Sequence, residues 1–339
     1  MACIGAAVLL LIVSAFGLGF LFAGALHAAS TATPPPRPKP GKLTGPMDAT
    51  FATWLRADEL SVRAELSASD KTLRAGLHIA QLDANGSVLV PPTTSFGLLE
   101  IGCSDRDLLV EQLDGRPYRD GGFLLSIEPL LDKYAAIVNR IARGGPRDRG
   151  FRLGYYHPRA VALPLAVSPH GREATLTVHR VAGCSSLLAL NPSSNHSRLC
   201  HTSGELERRR VPTITLQRAI ALLPSRLPIR LLKLDAQGMD VPLLKTVPPS
   251  ILRDRVERIE FESIGRRCAP LYIGQPSCDE AGRYLQAIGF RATPTPRGDP
   301  CHVMTSNPYE RRTSLYGYGC EATLRYDNVR LVLLANLTS

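Results

Sequence analysis

The sequence predicts a parallel α/β fold, and three apolar strands that each end in acid are what predict it. Phe96-Gly97-Leu98-Leu99-Glu100-Ile101 runs into Gly102-Cys103-Ser104-Asp105-Arg106, Phe123-Leu124-Leu125-Ser126-Ile127 into Glu128-Pro129, and Leu231-Leu232-Lys233-Leu234 into Asp235-Ala236-Gln237-Gly238-Met239-Asp240. In an open α/β sheet the ligand sits beyond the carboxyl ends of the strands, so acids at those places face a bound molecule rather than the core. An acid at the end of the second strand commonly accepts hydrogen bonds from ribose hydroxyls, which points to a nucleoside-containing ligand.

The elements follow in order. Residues Ala2 to Ala25 form an uncharged apolar run with the length of a bilayer span, and residues 1–30 are read as a signal anchor or a signal peptide. Ala23-Gly24-Ala25 has the small-x-small form of a cleavage site, while Arg37, Lys39 and Lys42 lie after the span. Residues 31–47 are a Pro-rich extended stem, and residues 48–90 a lead-in whose stretch from Asp48 to Ala84 reads as helical. The folded domain occupies residues 91–339. After the strand at Phe96–Ile101 come a helix at Asp105–Leu113, a strand at Phe123–Ile127, a helix at Asp132–Ala142 and a strand at Ala160–Val167. Glu173–Leu190 reads as an inserted hairpin. A helix at Leu216–Leu223, a strand at Ile229–Leu234, a strand at Val256–Glu262 and a helix at Asp279–Ile288 capped by Gly289 lead to a closing strand pair in Thr323–Leu334, turning at Asp327-Asn328.

The formal charge of +10 would ordinarily suggest polyanions. Yet Arg208-Arg209-Arg210 and Arg311-Arg312 lack the interleaved aromatics that stack bases, so they read as solvated faces and nucleic acid is excluded. Three acceptor patterns for N-glycosylation occur, at Asn85, Asn195 and Asn336. Six cysteines fall into neighbouring pairs along the chain, Cys184 with Cys200, Cys268 with Cys278 and Cys301 with Cys320. Disulfides and free thiols both fit that spacing; zinc does not, for want of CxxC or Cys/His ligand patterns.

Taken together, Glu100-Ile101-Gly102, Ser126-Ile127-Glu128-Pro129, Val211-Pro212-Thr213-Ile214-Thr215-Leu216, the Lys233-to-Asp240 block and Ile259-Glu260-Phe261-Glu262 resemble FkbM-type methyltransferases in order and spacing. The likeness runs from about Phe96 to Leu334. It implies a class I methyltransferase-like Rossmann sheet of seven strands, the last antiparallel, with helices on both faces, and S-adenosylmethionine as cofactor. Glu100, Gly102, Ser104, Asp105, Glu128 and Ala166 are implied at the cofactor, Glu128 at its ribose. Asp235 matches the first acid of the family's KxDxEGxE-like block, with Gln237 and Asp240 standing where the family has glutamates.

Methyl transfer to oxygen needs a base for the hydroxyl proton; Asp235 is the first candidate and Asp240 the second. Two acids and a glutamine do not specify a metal cage. His157, His179 and His201 read as surface loop residues, and Lys233 as a partner for a carboxylate across the sheet. The expectation is an O-methyltransferase acting on a small-molecule or glycan hydroxyl in the secretory lumen, tethered to the membrane by its N-terminal segment. The alternative is a non-catalytic module that keeps the fold, because Cys103-Ser104-Asp105-Arg106 lacks the second glycine usual in that loop. A nicotinamide-dependent oxidoreductase fails on the missing GxGxxG, and a phosphate-loop nucleotidase on the missing GxxxxGK[ST].

Overall fold

A computed structural model of the chain describes residues 59–61, 65–67, 72–74, 78–104, 109–142, 154–194, 198–266, 268–294, 301 and 320–331. The expected anchor, the stem and the first part of the lead-in lie outside the described residues. Among those described, no helix is long and apolar enough to cross a membrane.

The described part of the lead-in is strand where helix is expected. β1 (Glu59–Ser61), β2 (Glu65–Ser67), β3 (Thr72–Arg74) and β4 (His78–Gln81) form two antiparallel pairs, β1 with β4 and β2 with β3. β1 to β3 each carry one Leu flanked by polar residues, a two-residue alternation, and Ser69-Asp70 between β2 and β3 is turn chemistry.

The main sheet is built from β5 (Phe96–Ile101), β6 (Gly122–Ile127), β7 (Tyr155–His157), β8 (Ala160–Leu163), β13 (Ile229–Leu234), β14 (Arg258–Ile264), β15 (Phe290–Ala292) and β16 (Glu321–Asn328), in the order β15-β16-β14-β13-β5-β6-β8-β7. β8, β6, β5, β13 and β14 are parallel; β16 runs antiparallel between β14 and β15, and β7 adds an antiparallel edge. Among the described residues the sheet thus has eight strands rather than seven. β5, β6 and β8 are buried along their whole length, as strands covered on both faces must be. Leu98, Leu124, Ala160 and Leu231 face one core with Tyr134 and Ile137 of α1 (Leu131–Ala142). Leu99, Leu125, Val161 and Leu232 face the other, under α3 (Leu216–Ala221), α4 (Asp240–Lys245), α5 (Pro249–Arg255) and α6 (Cys278–Ala287), while α2 (Arg198–Ser203) lies between β8 and β13 in the sequence.

Several expected boundaries shift. The strand expected over Ala160–Val167 divides at Pro164 into β8 and β9 (Ala166–Val167), and β9 leaves the sheet to pair with β12 (Thr213–Ile214). The hairpin expected within Glu173–Leu190 is reduced to a single bridge, Thr177 to Ser186; β10 (Ala174–His179) pairs instead with the distant β11 (Glu205–Val211), the intervening chain being long enough to hold a disulfide loop. Where a helix is expected at Asp105–Leu113, the described residues show a single tight turn at Leu109–Gln112. Asp327-Asn328 is not a turn: the strand runs through both, and Asn328 is buried at its end. Its amide donates to the carbonyls of Arg253 and Val256, 2.8 Å each, and its side-chain oxygen accepts from Arg330 N, so it imitates a turn while tying β16 to the end of α5.

The disulfides are Cys184–Cys200, Cys268–Cys320 and Cys278–Cys301. The first joins sequence neighbours. The other four exchange partners relative to sequence proximity, because β16 returns beside β14 and carries Cys320 to Cys268, with Gly265 N donating to Cys320 O at 2.7 Å.

A polar row crosses the sheet inside this apolar setting. Glu260, Lys233, Glu100 and Ser126 stand opposite one another on β14, β13, β5 and β6. Lys233 Nζ donates to Glu100 Oε1 at 3.0 Å and Ser126 Oγ to Glu100 Oε2 at 3.2 Å; Glu100 is fully buried. Replacing Lys233 by Met strands a buried carboxyl and should cost about 3–5 kcal/mol, whereas the double change with Glu100→Gln should recover much of it; urea unfolding of the three proteins measures both. Asn328→Ala should cost about 1–3 kcal/mol in the same assay, since two buried carbonyls lose their donors.

Candidate active site

The order of parallel strands reverses between β5 and β13: from β5 the chain continues outward to β6 and β8, from β13 to β14 in the other direction. At such a switch point the loops leaving the two strands diverge and open a crevice. The cleft found there has a volume of about 480 Å³ and is lined by Gly102, Cys103 and Ser104 after β5, Glu128 after β6, Ala166 of β9, and Asp235 to Gln237 after β13. The turn at 182–187, with Leu130 and Leu176, covers one side, and Glu260 and Glu262 of β14 wall the other.

Gly102 marks where the two loops meet. It sits at φ +72°, its N–H donates to Ile127 O at 2.8 Å, and a Cβ there would lie 1.9 Å from Asp235 O. Only glycine fits that approach. Asp235 N in turn donates to Ile101 O at 2.9 Å, extending the β5–β13 ladder to the mouth of the cleft.

Glu128 is buried, with Oε2 accepting from Ser104 N at 2.7 Å and Oε1 from Leu130 N at 2.9 Å. Burial raises its pKa from the ordinary 4.5 to about 7, against the pull of those two N–H groups. Each carboxylate oxygen has a second lone pair, and Glu128 lines the cleft, so it can still accept from a bound hydroxyl.

Asp235 is half-buried at the end of β13, and burial raises its pKa while the amide of Gln237, donating to Oδ1 at 2.7 Å, works against the rise. Asp240 is placed differently. It is the first residue of α4, buried, and does not line the cleft; its carboxylate accepts from Ala236 N at 3.1 Å and holds the turn beneath Asp235. Burial first, and the neighbouring Asp235 second, raise its pKa from 3.8 to about 7.

Of the residues implied at the cofactor, Gly102, Ser104, Glu128 and Ala166 line the cleft. Asp105 lies outside the described residues. Glu100 does not line it: its fully buried carboxylate is held against Lys233 and Ser126 within the sheet. The three histidines expected in surface loops do not lie in loops: His157 ends β7, His179 is buried at the end of β10, and His201, exposed as expected, lies on α2. None lines the cleft.

Sequence reasoning missed Cys103, Ser186 and Tyr272. Cys103 is a buried free thiol in the cleft wall, its pKa driven up by burial and by Glu100 and Glu128. Ser186 Oγ donates to Gln237 O at 2.7 Å across 51 residues, and Tyr272 Oη to Gln237 Oε1 at 2.8 Å across 35. No local pattern marks either; the signal was Gln237 itself, a polar residue at φ +49° that needs outside support.

No curated protein matches the sequence. A family profile described as Methyltransferase FkbM domain matches residues 110–292, from just after the β5 loop to β15. Two solved structures are similar in part. One is the methyltransferase FkbM from Methylobacillus flagellatus KT, at 10% identity and a TM-score of 0.37, over 70% of this chain and 45% of that one. The other is the magnesium protoporphyrin IX methyltransferase from Synechocystis PCC 6803, solved with bound S-adenosylmethionine, at 7% identity and a TM-score of 0.30, over 70% of this chain and 72% of that one. This chain therefore spans less than half the length of the first of these. With the profile covering more than half of its 339 residues, the chain belongs to the FkbM methyltransferase family.

Proposed function

We propose that the protein transfers a methyl group from S-adenosylmethionine to a hydroxyl of a small molecule or glycan. The observation that supports this most is the meeting of Glu128 and Asp235 in one cleft at the switch point of a family-matched sheet. The donor set fits the cofactor: Glu128 is a ready acceptor for ribose hydroxyls, and among the described residues Glu128, Asp235 and Glu262 line the cleft with Lys233, Glu260 being paired with Arg325, an acidic balance suited to a cationic ligand. A volume of about 480 Å³ is that of a cofactor-sized pocket.

When bound, S-adenosylmethionine supplies an activated methyl group on a sulfonium. The chain's own residues do the rest. Glu128 and the 102–104 loop hold the nucleoside end, the 182–187 turn and Leu130 exclude water, and Asp235 takes the proton that the acceptor hydroxyl gives up. Asp240 acts one step removed, by holding the Ala236 turn.

Three disulfides among the described residues point to an oxidising environment. With the apolar run Ala2–Ala25, they support a lumenal enzyme tethered by its N-terminal segment. Asn85, exposed in the turn between Asp83 and Ser87, is a place where a glycan would meet no obstacle from its own backbone bonds, since it is the N–H and not the side chain that is engaged there.

Asp235→Asn should lower transfer by roughly 100-fold or more with little change in the thermal midpoint, if Asp235 is the base; full activity removes it from the mechanism. Calorimetric titration of S-adenosylmethionine tests the cofactor. Because the ionised form of Glu128 is the stronger acceptor, the dissociation constant should fall as pH rises through about 7 and then level off. In Glu128→Gln the pH dependence should weaken, Asp235 and Asp240 still titrating nearby, and affinity should drop by about 1–3 kcal/mol. No binding by the folded protein would instead favour a binding module that keeps the fold without the cofactor.

A further inference from the structure

Asp235, Gln237 and Tyr272 form two hydrogen bonds in series whose directions are fixed by chemistry. An ionised carboxylate only accepts, so the amide nitrogen of Gln237 must face Asp235 Oδ1, as it does at 2.7 Å. That turns the amide oxygen toward Tyr272, whose hydroxyl must then donate, as it does at 2.8 Å. We propose that Tyr272 is a positioning residue that, through Gln237, holds the Asp235 side chain in place and in its carboxylate form. The proposal rests on the reading of Asp235 as the base.

The surroundings are built for this one amide orientation. Tyr272 is 1% exposed, and Leu271 N and Tyr272 N both donate to Gln275 Oε1, fixing the backbone that presents the ring. Gly238, at φ +91°, gives the ring its space: a Cβ there would lie 2.7 Å from Tyr272 Cδ2. The Gln237 backbone is held from the opposite side by Ser186. Two segments distant in sequence thus meet at Gln237, Ser186 on its backbone carbonyl and Tyr272 on its side-chain carboxamide.

The charges facing Asp235 make its orientation matter. Lys233 of the same strand favours the carboxylate, while Glu128 at the end of β6 and Asp240 of α4 oppose it. Burial opposes it most, and the Gln237 bond is the largest counterweight. Without the Tyr272 hydroxyl the carboxamide is free to turn its oxygen toward Asp235, which only a protonated acid can satisfy. With Glu in place of Gln237, two carboxyls meet at hydrogen-bond distance and must share a proton.

The test is a carbon-13 titration of the side-chain carboxyls in aspartate-labelled protein, with the Asp235 signal assigned by its loss in Asp235→Asn. The Asp235 midpoint should rise by about one unit in Tyr272→Phe and by more in Gln237→Glu. The acidic limb of the transfer profile should move up with it, and a wild-type thermal midpoint in Tyr272→Phe separates this from a loss of packing. An unmoved Asp235 midpoint in the folded variants overturns the proposal; Gln237→Glu serves if Tyr272→Phe does not fold. If the midpoint moves while Asp235→Asn keeps full activity, the link from Tyr272 to Asp235 stands and the reading of Asp235 as base falls.

Discussion

The register of β5 against β13 is the constraint on which the site depends, and one buried ion pair marks it. Lys233 lies opposite Glu100, and the bond between them is made on the sheet face that also carries Leu98, Leu124 and Leu231. Sliding either strand by one residue would send one charge to the opposite core, without its partner. The same register sets Asp235 N on Ile101 O and leaves Gly102 too close to Asp235 O for any side chain. The two loops at the switch point are therefore spaced by the pairing of charges two residues further back in the strands. Glu100 contributes to the site in this way, without reaching the cleft.

Burial gives two acids in and beneath the cleft a common electrostatic character. Glu128 and Asp240 both have pKa values raised to about 7, and both spend their oxygens on backbone N–H groups that shape loops. A carboxyl that keeps its proton longer when folded favours folding at low pH; that contribution declines as pH climbs from the ordinary carboxylate range toward about 7. A cationic cofactor would offset this charge, so occupancy and ionisation of the cleft reinforce each other.

The parallel half of this arrangement was legible in the sequence, because a strand buried on both faces must be a nearly unbroken apolar run. β5, β6 and β13 stood out for that reason, and the acids after them marked the cleft. The lead-in misled because Leu60, Leu73 and Ile79 also suit a helix when the two-residue alternation is confined to strands of three or four residues. Asn328 misled because an Asn after an Asp usually bends the chain, whereas here its amide caps carbonyls of another element. Glu100 was assigned to the cofactor by motif, whereas its contacts with Lys233 and Ser126 are cross-strand bonds that no local motif shows. The disulfide partners of Cys268 and Cys278 depended on where β16 returns, a long-range pairing with no local sequence signal.

The placement of the disulfides separates two parts of the molecule with different sources of order. β5, β6, β8 and β13 carry none; hydrogen-bond ladders and two apolar cores hold them. The segments that deliver Ser186 and Tyr272 to Gln237 are largely irregular chain, with few ladder bonds to limit their conformational freedom. Cys184–Cys200 closes the first of these segments, at the covered side of the cleft. The second is bounded by Cys268 and Cys278, each joined to a residue far along the chain. Cross-links that reduce the entropy of these segments when unfolded stabilise the part of the fold that the sheet does not reach. The sheet places Glu128 and Asp235, and the cross-linked segments orient what surrounds them. An oxidising compartment is thus a condition for the arrangement around Gln237 more than for the fold as a whole.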